Sequence, residues 1–170
     1  MGVPQMLVLF EFMIAAIAIP VAGILYQALG KRKAARRYPP PGKYVFVKGR
    51  RIHVLDQGEG PTVILEAGIA STSLAWAGIQ KTLAAEARVI SYGRAGLGWS
   101  DRAGSPRTLE NASEELHEML QQSGVPKPYL LVGHSYGGLI VRHFAKHHPE
   151  EVAGMVLVDS VETRDWVPLS

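Results

Sequence analysis

The stretch Tyr129 to His147, reading Y-L-L-V-G-H-S-Y-G-G-L-I-V-R-H-F-A-K-H, constrains the fold more than any other part of the chain. Tyr129 to Val132 is a short apolar run suited to a buried strand. From Leu139 onward, Ile140, Phe144 and Ala145 recur at helical spacing. Between strand and helix lies Gly133-His134-Ser135-Tyr136-Gly137. A G-x-S-x-G at such a junction has a mechanical reason: the serine occupies a sharp, strained turn, and side chains two residues to either side would collide with the neighbouring strand and helix. Gly133 and Gly137 fill those places, and Gly138 adds room for close packing. The Ser135 hydroxyl then stands at a helix N-terminus, where the dipole favours developing negative charge. That arrangement is a poised nucleophile. The plain alternative, a glycine-rich turn that happens to contain serine, fits the strand-before, helix-after context less well.

Three further stretches keep order with this one: Thr62 to Gly68 (T-V-I-L-E-A-G), Ser91 to Asp101 (S-Y-G-R-A-G-L-G-W-S-D) and Met155 to Ser160 (M-V-L-V-D-S). Together with the serine turn they resemble the α/β-hydrolase superfamily, over roughly Lys43 to Val161. The resemblance implies an α/β fold, a mostly parallel sheet flanked by helices, with these stretches as the third strand and oxyanion loop, the loop after the fourth strand, and the sixth strand. It implies the backbone N–H groups of Ile69 and Tyr136 as oxyanion donors. Some members place their catalytic acid where Asp159 stands, which makes Asp159 a reserve candidate against a turn-forming role. The chain departs from the family pattern in three places. Ala67-Gly68 replaces a common His-Gly, and Gly93 rather than Asp precedes Arg94. Relatives also continue through a cap, two strands, an acid and a histidine, so the fold is expected to be truncated after strand 6, with the base beyond Ser170. The fragment alone should turn over little substrate.

Ahead of this region, Met6 to Leu29 is almost continuously apolar, interrupted by Glu11, Pro20 and Gln27. As a helix it is about 36 Å long, enough to cross a hydrocarbon core of roughly 30 Å. We read it as a membrane anchor. A cleaved signal peptide, with Ala16-Ile17-Ala18 as its site, is weakened because no basic residue precedes the run. A buried helix is weakened by the length. Lys31 to Arg37 follows at once and predicts a single-pass protein whose bulk stays cytoplasmic. Pro39-Pro40-Pro41-Gly42 is a stiff spacer. The expected organisation is therefore an anchor over 1–30, a basic and proline-rich linker over 31–42, and a hydrolase domain over 43–170.

Five of the 18 basic residues sit in the cluster Lys31 to Arg37, and the remaining 13 nearly balance 15 acidic ones, which argues against a nucleic-acid partner. Cysteine is absent, excluding disulfides, thiolate metal sites and a cysteine nucleophile. Tyr44 to Val47 and Arg51 to Leu55 predict a hairpin turning at Lys48-Gly49-Arg50, a solvated basic tip. Ser71-Thr72-Ser73 can cap a helix with Trp76, Ile79 and Leu83 on one face. The glycines Gly93, Gly96 and Gly98 lack the dinucleotide order. Thr108 can cap a helix to Gln122 with Leu109, Ala112, Leu116, Met119 and Leu120 inward, and Val152 to Val158 reads as a largely buried strand.

The six histidines give no base: His53 suits packing, His117 a solvated face among glutamates, and His134 points away from Ser135. His143 and His147 lie at i and i+4 but lack a third ligand, so neither a metal nor a cofactor is expected. Serine at the elbow argues against dehalogenase and epoxide-hydrolase chemistry, which need a carboxylate nucleophile. The expected function is a serine hydrolase acting on a small-molecule ester, amide or lactone through an acyl-enzyme. The alternative is a non-catalytic ligand-binding or scaffold protein on the same fold. Substrate and oligomeric state stay open.

Overall fold

The computed structural model describes residues 3–162, with side chains from residue 10 onward, so residues 163–170 of the expected hydrolase domain lie outside the described residues. The chain divides into two units, Met1–Pro39 and Pro40–Ser170. The first is a single helix, α1 (Val3–Arg37), which carries the basic run to its end, where Arg36 and Arg37 meet the negative pole of the helix dipole. Within Phe10–Arg37 an 18-residue window reaches a mean hydropathy of 2.0, and the helix is long and apolar enough to cross a membrane.

The second unit is a six-stranded mixed sheet in the order β1-β2-β4-β3-β5-β6, flanked by helices. β1 (Lys43–Val47) and β2 (Arg50–Gln57) form an antiparallel hairpin closed by Val47 opposite Arg50. Lys48 and Gly49 turn it with φ of 48° and 74°, the doubly positive geometry that two-residue hairpins favour. β2 pairs antiparallel with β4 (Arg88–Tyr92); β4, β3 (Thr62–Glu66), β5 (Tyr129–His134) and β6 (Val152–Val158) are parallel. β3 is buried at every position, as a central parallel strand covered on both faces must be.

Alternation along β3 sends its side chains to opposite faces. Ile64 joins the larger core with Ile52, Ile90, Leu116, Leu131, Ile140 and Phe144. Val63 and Leu65 join a smaller one with Ala67, Trp76 and Val89. The larger core is covered by α3 (Leu109–Gln122), capped by the Thr108 side chain as expected, and by α4 (Tyr136–His147). Leu116, Met119 and Leu120 of α3 are fully buried.

Three expectations need correction. The element after Thr72 begins as a 3-10 turn (Ser73–Trp76) before α2 (Ala77–Leu83), which shifts the helical phase. Trp76 is buried, but Ile79 and Leu83 are 53% and 38% exposed. Gln80 faces inward instead, donating to the carbonyls of Leu55 and Val89 while accepting from Ser91 Oγ. The hairpin tip is not simply solvated: Lys48 reaches Glu118 at 2.8 Å and Glu114 at 3.3 Å on α3, and Arg51 pairs with Asp101. β6 is not largely buried either. It is the outermost strand, and Met155 to Val158 are 37–46% exposed.

Asp56, at the end of β2, binds Lys43 Nζ at 2.8 Å and Arg88 through Nε at 3.0 Å and Nη2 at 2.8 Å. The Arg88 hydrogen bonds, with Lys43 adding to them against the cost of burial, lower its pKa from 3.8 to about 2. A depressed carboxyl contributes stability that is present above its unfolded pKa and lost as pH falls toward the folded value. Urea unfolding should therefore weaken between pH 4 and pH 2 by on the order of 1 kcal/mol from this group after solvent screening, and Asp56→Asn should remove that part of the acid limb.

Candidate active site

Ser135 sits between β5 and α4 with φ 51° and ψ −121°, a conformation that side chains rarely adopt. Its N–H donates to the Val158 carbonyl at 3.1 Å, while its carbonyl accepts from Gly138 N at 3.0 Å and Val161 N at 3.4 Å. Strain of this kind, on the order of 1–3 kcal/mol, persists only where surroundings over-determine it. The flanking glycines show why. A Cβ on Gly133 would lie 2.7 Å from Gly138 Cα and from Val141 Cγ2. One on Gly137 would lie 2.4 Å from the Glu66 carbonyl oxygen and 2.7 Å from that of Ala67. The close contact that excludes a side chain at Gly137 is thus with the C-terminal end of β3.

The register of the parallel pair brings these ends together, with Glu66 opposite Gly133. Beyond Glu66 the chain turns at Gly68-Ile69-Ala70-Ser71, closed by Ser71 N to the Gly68 carbonyl at 3.2 Å, with Ala70 at φ 54°. Gly68 packs against the serine: a Cβ there would come within 3.4 Å of Ser135 Cβ. Ile69 and Tyr136 both line a cavity of about 250 Å³, with Ala70, Leu97, Arg107 and Glu115 among its other walls. The two residues named as donors therefore border one depression, and Tyr136 directly follows Ser135. Asp159 follows β6 with φ 43°, is exposed, and lies at a bend.

A buried ionic cluster underlies this depression. Glu66, 1% exposed, binds Arg94 Nη1 through one oxygen and the Tyr92 hydroxyl through the other. Arg94 Nη1 also donates to the Ala67 carbonyl at 2.7 Å, and Nη2 to that of Gly68 at 2.5 Å. The guanidinium lies 5.7 Å from the centroid of the Tyr136 ring. Burial raises the Glu66 pKa against the pull of Arg94 and Tyr92, and burial beside Glu66 lifts the Tyr92 phenol well above its usual value. Glu115, accepting from Ala95 N at 2.8 Å, is also raised by burial. In the sequence Arg94 stands out only for lacking an aspartate before it. The acid it meets stands 28 positions away, at the end of β3.

None of the six histidines hydrogen-bonds the Ser135 hydroxyl among the described residues. His53 is buried and contacts the Pro41 carbonyl, His134 packs edge-on against Trp76, and His147 Nδ1 contacts the His143 carbonyl. His117 corrects the expectation of a solvated face. It stacks on His148 with centroids 3.8 Å apart and contacts Glu151 Oε1 at 3.2 Å. His117, His148 and Glu151 place donor atoms within 4.8 Å of one another, a spacing suited to a metal. Lys127 Nζ already binds the same Glu151 oxygen. Burial pushes Glu151 up, yet Lys127 and His117 outweigh it and hold the carboxyl below its usual value, so the cluster carries its own cation.

A mixed, mostly parallel sheet flanked by helices, with a strained serine turn at the C-terminal end of one strand, is the architecture of open α/β folds, whose ligand crevices lie at that end. The model of the alpha/beta hydrolase fold family matches residues 61–169, and the chain belongs to that family. An AB hydrolase superfamily protein of Gibberella zeae is 38% identical over 59% of this chain and 32% of its own length. The solved structure of a meta-cleavage product hydrolase from Pseudomonas fluorescens superposes with a TM-score of 0.65 at 26% identity, covering 70% of this chain and 45% of that one. A thermophilic esterase from Thermogutta terrifontis gives 0.65 at 25% identity, covering 70% and 45%. The chain thus spans less than half the length of each of these relatives.

The packing at Gly137 is directly testable. Gly137→Ala should lower unfolding stability by about 1–3 kcal/mol in urea titration. Gly154→Ala, whose Cβ would meet only Leu130 Cδ1 at 3.4 Å, should stay within about 0.5 kcal/mol of the parent.

Proposed function

We propose that this chain carries the nucleophile and oxyanion site of a serine hydrolase acting on an ester, amide or lactone. The observation that carries the reading is the strained Ser135 conformation beside the Gly68 turn, with Ile69 and Tyr136 on the wall of one cavity. In the proposed reaction, Ser135 Oγ loses its proton to a base and attacks the carbonyl carbon. The oxyanion that forms is held by the N–H groups of Ile69 and Tyr136, each of which contributes about 2.7 to 4 kcal/mol in comparable sites. Collapse expels the alcohol or amine, and water then releases the acyl group. The esterase among the structural relatives fits this class of reaction. The cavity walls of Ile69, Ala70 and Leu97 suit a small apolar acyl group.

None of the six imidazoles bonds Ser135 among the described residues, so turnover by these residues alone is proposed to be slow. The same observation favours a second reading, a ligand-binding protein that keeps the fold without the chemistry. Asp159 remains a reserve acid. We further propose that α1 anchors the protein in a membrane as a single span, with the basic run Lys31 to Arg37 on the cytoplasmic side together with the hydrolase unit.

Treatment of the protein with a fluorophosphonate probe separates the two readings. In a protein that also supplies the base, the hydrolase reading expects one labelled site, lost in Ser135→Ala, whereas these residues alone should hydrolyse p-nitrophenyl esters little above background. A folded protein that carries the base and still takes no label would instead be the binder.

A further inference from the structure

We propose that Arg94 is a positioning residue that aims the Ile69 N–H at the oxyanion by holding the carbonyl on the opposite side of the same peptide unit. This rests on the reading of Ser135 as nucleophile. In a planar trans peptide, C=O and N–H point in opposite directions. The Gly68 carbonyl and the Ile69 N–H belong to one such unit. Arg94 Nη2 grips that carbonyl at 2.5 Å, on the buried side, and the N–H is thereby turned the other way. Nη1 holds the preceding carbonyl, that of Ala67, at 2.7 Å, so two successive peptide planes are fixed by one guanidinium.

The loop needs such a clamp. Ala70, with φ 54°, holds a backbone conformation unfavourable for an alanine, and rotation of neighbouring peptide units would relieve it. Ser71 N closes the turn on the same Gly68 oxygen, but at 3.2 Å it is the longer of the two bonds. Arg94 is itself immobilised: its side chain is 11% exposed, Glu66 takes Nη1, and the Tyr92 hydroxyl holds the other Glu66 oxygen. Its guanidinium also lies against the ring of Tyr136, the residue that provides the second donor. One planar cation therefore touches both halves of the oxyanion site.

Glu66 neutralises the charge, so the clamp acts through orientation more than through positive potential. Lysine would keep the charge but not the rigid fork that spans a carboxylate and two carbonyls. Arg94→Lys accordingly separates orientation from charge.

The test measures phosphonylation of Ser135 by a fluorophosphonate in a protein that also supplies the base, resolving the maximal rate from the concentration giving half that rate. Arg94→Lys should lower the maximal rate about 10²-fold, leave the half-saturating concentration within about twofold, and show the Gly68–Ile69 peptide rotated in its crystal structure. A parental rate, or a loss carried entirely by the half-saturating concentration, overturns the proposal. So does a Gly68–Ile69 peptide left in place. If Arg94→Lys does not fold, Tyr92→Phe removes only the hydroxyl that steadies Glu66, and the same split is expected at several-fold size; an unchanged rate there overturns the proposal. Should a parent protein that supplies the base take no label, the nucleophile reading fails, while the peptide orientation in the variant crystal still decides the role of Arg94.

Discussion

Everything at the site depends on two parallel strands ending at the same level. Because β5 pairs with β3 so that Gly133 faces Glu66, the turn after one strand and the elbow after the other leave the sheet side by side. Close approach then becomes a requirement. Gly137 has no room for a side chain because the carbonyls of Glu66 and Ala67 already occupy it, and Gly68 packs on Ser135 from across the gap. The serine conformation is thus fixed by sheet register as much as by its own five-residue motif.

That dependence explains what could be read from the sequence. The elbow was legible because its constraints are local: glycines at fixed offsets, an apolar run before and a helical repeat after. The hairpin was legible from Lys48-Gly49, and α3 from Thr108 and its inward leucines, for the same reason. Contacts that couple distant segments were not. Glu66 and Arg94 are 28 positions apart and meet because β4 lies beside β3 in the sheet, a neighbour relation that no single segment encodes. Ile79 and Leu83 do not share the inward face their spacing implies because a 3-10 start rotates the helix, and His117 is hard to place from its own helix because its partners, His148 and Glu151, lie beyond α4.

The Glu66–Arg94 pair raises an energetic question. Taking both charges out of water costs several kcal/mol per ion, and apolar residues of similar volume often serve stability as well or better. Here the guanidinium also satisfies the carbonyls of Ala67 and Gly68, which leave β3 in a turn and so lack ladder partners. Buried carbonyls without donors would carry their own penalty. The pair therefore does two things an apolar substitute could not: it completes the hydrogen bonding of an irregular backbone and fixes which way that backbone faces.

The other side of the elbow is held by β6, although that strand is the most exposed of the sheet. Val158 accepts from Ser135 N, Val161 N donates to the Ser135 carbonyl, and Ser160 packs so tightly on Gly138 that a Cβ there would fall 1.9 Å from its Oγ. The serine is consequently gripped from β3 through glycine packing and from β6 through main-chain hydrogen bonds. Loosening either side lets φ 51° relax toward ordinary values. An exposed apolar strand is costly to leave uncovered, yet its end supplies the two main-chain contacts that no residue of the motif itself can make.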